Sequence, residues 1–287
     1  MSSQLILKPT LIANDKSNLE LCLKKEQSRG NNDQEKILVI IGPTASGKTG
    51  LAIDVALELS RLRGCDTAAG DFAAEVISAD SRAIYRGMDI GTAKPTFEEM
   101  QGVPHWGIDL VEPDERFTVY DFVKYAREKI AEIRERGHLP IIAGGTGLYV
   151  DALVYDYDFS SDAKESQCDR AEMSDDYLVV GIDWPREQLR ERLQLRAEKF
   201  FDQPIEEETR RLAEKYDWSL QSMRSNIYPI VRDMMAGELS KEEAIKLFVL
   251  DDWHLAKRQL TWFKRNKNIH WLPLNEAKKW ILGQYEK

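Results

Sequence analysis

Residues Gly42 to Thr49 read GPTASGKT, the complete spacing G-x-x-x-x-G-K-[ST]. An apolar run, Ile37-Leu-Val-Ile-Ile41, leads into it, and a helix-like stretch from Leu51 to Leu59 follows. A strand, a glycine loop and a helix in that order make a phosphate cradle. The glycines let backbone N–H groups turn inward, Lys48 neutralises charge, and the Thr49 hydroxyl can hold Mg²⁺. The helix N-terminus adds the positive end of its dipole. The chain is therefore expected to bind a di- or triphosphate. The loop alone leaves open whether that ligand is ATP, and which reaction follows.

The loop also sets the frame for the rest of the chain. The first strand is read at residues 36–41, followed by a helix to about Leu62. A second strand, Glu75-Val-Ile-Ser-Ala79, ends on Asp80-Ser81. Residues 82–113 carry many glycines and prolines and read mostly as loop. Thr118 and Asp121 form a capping-box pattern ahead of Val123, Ala126, Ile130 and Ile133 at helical spacing. A third strand, Leu139-Pro-Ile-Ile-Ala143, closes on Gly144-Gly-Thr-Gly147, and Leu178-Val-Val-Gly-Ile182 makes a fourth. Alternation of strand and helix predicts an α/β fold: a P-loop NTPase-like parallel sheet flanked by helices. From Pro185 onward the pattern is mostly helical, with Ser240 and Glu243 capping one helix and Trp271-Leu-Pro-Leu274 as a possible last strand. Residues 1–35 read as an irregular extension, 36–287 as the phosphate-loop domain, 154–176 as an acidic connector within it, and 185–287 as its helical part.

With a net charge of −9, the chain is not suited to coating nucleic acid wholesale, although a local basic patch stays open. Its three cysteines, Cys22, Cys65 and Cys168, are odd in number and far apart, which fits a reducing compartment. None of the four histidines has metal-ligand spacing. No run reads as a signal peptide or a membrane span, so a cytoplasmic protein is expected, without membrane attachment and acting as a monomer.

Four further features carry chemistry. Asp80 follows the second strand, at the carboxyl rim where ligands gather in open α/β sheets. There it can hold Mg²⁺ or accept a proton, or it can simply cap a turn. The third strand ends in glycines where a motor or switch NTPase would carry an acid, which weakens an ATPase reading. That turn is expected to let the chain approach a ligand closely, with Thr146 offering its hydroxyl or N–H, or to be a plain tight turn. Arg192 and Arg196, four residues apart, share a helix face that suits a diphosphate or solvent equally. Lys257, Arg258, Lys264 and Arg265 interleave with Trp262 and Phe263 in a run without acids, a pattern that can grip a nucleic-acid backbone.

Together, GPTASGKT, Ser78-Ala-Asp-Ser81, Tyr85-Arg-Gly-Met-Asp-Ile-Gly-Thr-Ala-Lys-Pro95, Gly144-Gly-Thr-Gly-Leu-Tyr149 and Ala256-Lys-Arg-Gln-Leu-Thr-Trp-Phe263 resemble the tRNA dimethylallyltransferases, or tRNA isopentenyltransferases. The resemblance runs from about Ile37 to Leu272, and the Tyr85–Pro95 segment is its most specific part. It implies transfer of a dimethylallyl group from dimethylallyl diphosphate to N6 of adenosine 37, beside the anticodon of tRNA. The diphosphate would be held by Gly42, Thr44, Ala45, Ser46, Gly47, Lys48 and Thr49, with Mg²⁺ at Thr49 and with Arg192 and Arg196 nearby. Asp80 would be the general base, and Thr146 and Lys48 would stand at the reacting centre. Asp80, Ser81, Arg82 and Ala83 would meet the target base in the anticodon loop, and Lys257, Arg258, Lys264 and Arg265 the rest of the tRNA.

Two departures from that family are visible. Asp80-Ser-Arg-Ala83 has Ala83 where the family usually has Gln, and the acidic stretch Tyr155 to Asp176 replaces a helical insertion that grips the anticodon stem. The shortening keeps an adenylate dimethylallyltransferase as an alternative. A small-molecule kinase shares the phosphate loop but would need a lid of clustered arginines. A non-catalytic RNA-binding relic is at odds with intact Lys48, Thr49 and Asp80.

Overall fold

A computed structural model describes residues 35–157, 159, 172–224 and 227–286. The expected extension at 1–35 lies outside these apart from Glu35, as does most of the acidic connector. Six parallel strands form one sheet: β1 (Ile37–Ile41), β2 (Ala74–Ser78), β3 (His105–Trp106), β4 (Leu139–Gly144), β5 (Tyr177–Asp183) and β6 (His270–Pro273). Their spatial order is β3-β2-β4-β1-β5-β6. Helices α1 (Lys48–Leu62), α2 (Phe97–Met100), α3 (Val119–Glu135), α4 (Gly147–Val154), α5 (Arg186–Phe201), α6 (Ile205–Lys215), α7 (Ile227–Met235), α8 (Lys241–Phe263) and α9 (Leu274–Tyr285) complete the described fold.

The central strand explains itself from its side chains. All five residues of β1 are buried because both faces of the sheet are covered, as parallel sheets require. Leu38 and Ile40 pack with α1 and α9. Ile37, Val39 and Ile41 pack with α3 and α4 on the other face. The Thr118–Asp121 capping box is present at the start of α3, and the Ser240–Glu243 box opens α8.

The region read as loop between Arg82 and Pro113 holds more order than its sequence suggests. It contains β3, paired with Val76 and Ile77 of β2, and the short α2. Two residues of edge strand and four of helix are too short to leave a hydrophobic period. The segment is instead fixed by buried polar anchors. The Glu208 carboxylate of α6 accepts the N–H groups of Asp89, Ile90 and Gly91 at 3.0, 2.9 and 2.9 Å and the Tyr228 hydroxyl at 2.8 Å. Lys94, also buried, donates to Asp89 Oδ1 at 2.8 Å and Asp109 Oδ1 at 2.5 Å. A separate core formed by α5–α8, with Phe200, Phe201, Tyr228 and Phe248, holds the Tyr228 end of the Glu208 anchor and also buries Met88.

Candidate active site

Neighbouring strands β2, β4 and β1 end at one rim. They deliver Asp80, the Gly144–Gly147 turn and the phosphate loop to a single cleft of about 540 Å³. In the loop, Ala45 has φ +61° and Gly47 has φ +88°, the left-handed geometry that turns the backbone before α1 begins. The first turn of α1 has no acidic side chain, so its dipole is open to an anion. Thr44, Ala45, Gly47, Lys48 and Thr49 line the cleft, whereas Ser46 is wholly buried and Gly42 packs against it. Lys48 Nζ donates to the Pro43 carbonyl at 3.3 Å. Burial lowers its pKa to about 8; Asp80 pulls it back up and Arg196 pushes it further down.

The two arginines of α5 divide their work. Arg196 lines the cleft, bonds to the Thr44 hydroxyl and pairs with buried Asp252 at 2.6 Å. Arg192 holds the loop instead: its Nε donates to Ala45 O at 2.7 Å while its guanidinium lies over the Trp184 ring. The Trp184 indole in turn donates to Ser46 O at 2.9 Å. Both arginines thus reach the phosphate loop, but among these contacts only Arg196 faces the ligand space.

Asp80 lines the same cleft. Its Oδ1 accepts the Arg82 N–H at 2.8 Å, which sets the carboxylate's orientation. The Arg82 guanidinium reaches the Gln221 carbonyl at 3.2 Å, and Ser81 and Ala83 are further parts of the cleft wall. Thr146 lines the cleft too, and its side chain also serves the turn. Its hydroxyl accepts the Ser81 N–H at 2.9 Å and donates to Ser81 Oγ, while its own N–H donates to Ala79 O at 3.2 Å. Thr146 holds the turn that carries Asp80. The glycines beside it also have a reason other than ligand approach. A Cβ on Gly145 would lie 2.4 Å from Gln259 Nε2, and one on Gly147 2.3 Å from Trp262 Cδ1. They admit α8, and both also line the cleft.

The cleft-facing side of α8 is the part the sequence did not reveal. Asp252, Leu255, Gln259 and Trp262, spaced for one helical face, all line the cleft. Gln259 accepts the Thr44 N–H at 2.7 Å and donates to Gly145 O at 3.0 Å. One carboxamide therefore ties the phosphate loop to the turn that holds Asp80. Trp262 Nε1 donates to Asp151 at 2.8 Å and anchors the end of α8 to α4. Of the basic run, Lys257, Arg258 and Arg265 line a groove on the outer side of α8. Lys264 points elsewhere, 3.8 Å from Asp183 and over the Trp271 ring.

The donor set suits Mg²⁺. Thr49, Asp80 and any bound diphosphate offer hard oxygens, and no cluster of three acidic, His or Cys ligands exists among the described residues. Such an ion would draw the rest of its shell from phosphate and water, as Mg²⁺ commonly does. No helix among the described residues is long and apolar enough to cross a membrane.

This arrangement matches known proteins. The IPP transferase family model matches residues 83–176 and 159–266. The chain is 34% identical to tRNA dimethylallyltransferases of Bacillus cereus (strain AH187) and Bacillus anthracis (strain CDC 684 / NRRL 3495), over 87% of this chain and 93% of each relative. These alignments span 309 positions, more than the 287 residues of this chain, so the relatives contain segments that it lacks. Among solved structures, a tRNA delta(2)-isopentenylpyrophosphate transferase of Staphylococcus epidermidis superposes with TM-score 0.74 at 32% identity, covering 88% of this chain and 99% of that one. A tRNA isopentenylpyrophosphate transferase of Bacillus halodurans gives 0.73 at 30%, covering 88% and 97%. A eukaryotic dimethylallyltransferase acting on tRNA shares the fold, with TM-score 0.68 at 19% identity over 86% of this chain and 76% of that one.

Proposed function

The chain belongs to the tRNA dimethylallyltransferase family, and from that membership we infer that it transfers a dimethylallyl group from dimethylallyl diphosphate to N6 of adenosine 37 in the anticodon loop of tRNA. The observation that carries this reading is the placement of Asp80 across one cleft from a phosphate loop, close enough to Lys48 to raise its proton affinity.

An exocyclic adenine amine is a poor nucleophile because its lone pair is delocalised into the ring. The site must place it, take its proton and stabilise the leaving group. The N6 lone pair forms a bond to C1 of the dimethylallyl group as the C1–O bond breaks. Diphosphate leaves with that electron pair, and the N6 proton passes to Asp80. The loop N–H groups, Lys48 and Arg196 hold the diphosphate as its negative charge grows. Thr49 and the diphosphate oxygens would hold Mg²⁺, which supplies further charge neutralisation when bound. Thr146 and Gln259 keep base and loop in register. A base turned out of its stack would reach Asp80 through the wall formed by Ser81, Arg82 and Ala83. The phosphate loop thus serves a departing diphosphate, not phosphoryl transfer. A tRNA acceptor supports a cytoplasmic site of action.

The test is incubation with labelled dimethylallyl diphosphate and either unmodified tRNA or AMP. Label entering tRNA and not AMP is expected; label entering AMP alone overturns the assignment of the acceptor.

A further inference from the structure

The cations at the cleft have acidic neighbours: Arg196 pairs with Asp252, and Lys48 lies beside Asp80. On the far side of α8 stand cations that make no ion pair among the described residues. Arg186 and Arg190, one turn apart on α5, and Lys257 on α8 converge on the Trp253 indole, at 5.3, 4.6 and 5.9 Å from the ring centre. All three are exposed, and none joins an ion pair among the described residues. In a chain of net charge −9, three cations gathered on one indole without an ion-pair partner are a local concentration of positive charge, although Glu187 and Glu191 flank the two arginines in sequence. Mutual repulsion makes such crowding unfavourable until an anion arrives.

The patch continues along α8. Lys257 also belongs to the outer groove of about 620 Å³, with His254, Arg258, Thr261, Trp262 and Arg265. The Arg265 guanidinium covers the Trp262 ring at 4.1 Å. Arg258 and Trp262 line both this groove and the reaction cleft, so the two spaces share a wall. A polyanion with one residue in the cleft would emerge over α8 and meet Lys257, then Arg190 and Arg186.

We propose that the outer face of α8 and the start of α5 form a phosphate track for the acceptor RNA, running from the reaction cleft to Arg186 and Arg190. This rests on the tRNA-modifying reading and extends the contact surface beyond the basic run of α8. It also gives the shortened chain a grip independent of the segments its relatives have in addition. Continuity with the cleft favours RNA over a membrane surface, because a lipid headgroup layer has no reason to adjoin the phosphate loop.

The experiment is Arg186→Ala/Arg190→Ala, measured by filter binding of unmodified tRNA across a salt series, with transfer kinetics alongside. Two lost phosphate contacts should weaken binding roughly 10-fold at low salt and flatten the log–log salt slope by about 1.5. The KM for tRNA should rise, while the KM for dimethylallyl diphosphate and kcat at saturating tRNA stay as in the parent. A charge-matched control, Lys241→Ala/Lys279→Ala, should leave the slope unchanged. Unchanged tRNA affinity and slope in the Arg186/Arg190 variant overturn the proposal. So does loss of binding to phosphatidylserine vesicles with tRNA binding intact, which would mark the patch as a membrane contact. Failure of the parent protein to transfer label would refute the activity, whereas filter binding still decides on the track.

Discussion

Lys48 offers the most quantitative handle on the phosphate loop. Burial lowers its pKa from 10.5 to about 8, with Arg196 adding to the shift and Asp80 and Asp252 opposing it. Since one pKa unit corresponds to about 1.4 kcal/mol, holding the ammonium there costs the folded protein roughly 3 kcal/mol at most. The sign follows from the lowered folded value. The cost is fully present below about pH 8, and it fades as pH rises toward the unfolded value of 10.5. A bound diphosphate relieves it by supplying negative charge, so the protonated loop is the binding form. The affinity for a non-reacting alkyl diphosphate that does not itself titrate in this range should fall roughly 10-fold between pH 7 and pH 9. Calorimetry in buffers of different ionisation enthalpy should show proton uptake on binding near pH 8.5 and little at pH 6.5. Lys48→Arg, which does not titrate here, should lose the pH dependence, whatever its absolute affinity. A flat affinity from pH 7 to pH 9 in the parent protein, with no proton uptake, would refute the reasoning.

Gln259→Ala removes both hydrogen bonds that tie Thr44 to Gly145. Transfer should fall by about 10-fold or more, consistent with roughly 1–3 kcal/mol for partly buried groups left unpaired, while thermal unfolding shifts only slightly. Gln259→Glu keeps the acceptor for Thr44 but turns an oxygen on the Gly145 carbonyl, and it should not restore the rate. Glu208→Ala strands three backbone N–H groups of the Asp89–Gly91 turn and the Tyr228 hydroxyl. It should lower the melting temperature and raise the KM for tRNA more than that for dimethylallyl diphosphate, because that turn lines the cleft at Gly91, Thr92 and Ala93. In Glu75, burial raises the carboxyl pKa, but hydrogen bonds from His138, Arg136 and Trp106 outweigh it and hold the value at about 2. Its folded pKa is depressed, so its contribution of about 3 kcal/mol is present above pH 4.5 and lost as pH falls toward 2. Denaturant titrations of Glu75→Gln should show a destabilisation at pH 7 that shrinks across this window.

What the sequence revealed depended on how local the cause was. Strands β1, β4 and β5 were legible because a doubly covered sheet writes an uninterrupted apolar run, and the caps at Thr118 and Ser240 because a capping box spans four residues. Asp80 could be placed from its position after a strand. The Gly144–Gly147 turn was harder, since Gly145 and Gly147 answer to Gln259 and Trp262, more than 100 residues away, and nothing near the turn announces them. The helical spacing of Asp252, Leu255, Gln259 and Trp262 was present in the sequence, yet only packing shows that this face looks into the cleft. Lys264 and Arg265 are adjacent in the basic run, but the turn that ends α8 sends them to different neighbours, Trp271 and Trp262. The anchoring of the Tyr85–Pro95 segment by Glu208 was likewise invisible, because one buried carboxylate on α6 replaces the apolar pattern that would have marked order.

The central claim is that Asp80 takes a proton from an adenine amine while the phosphate loop releases diphosphate. Nucleoside mapping of tRNA after incubation with dimethylallyl diphosphate tests it most directly, with the parent and Asp80→Asn compared beside their affinities for an alkyl diphosphate. The account predicts a dimethylallyl group on N6 of adenosine 37 with the parent. With Asp80→Asn it predicts a rate lower by about 100-fold or more at little-changed diphosphate affinity. Near-parental turnover by Asp80→Asn, or modification at another atom or position, would contradict it.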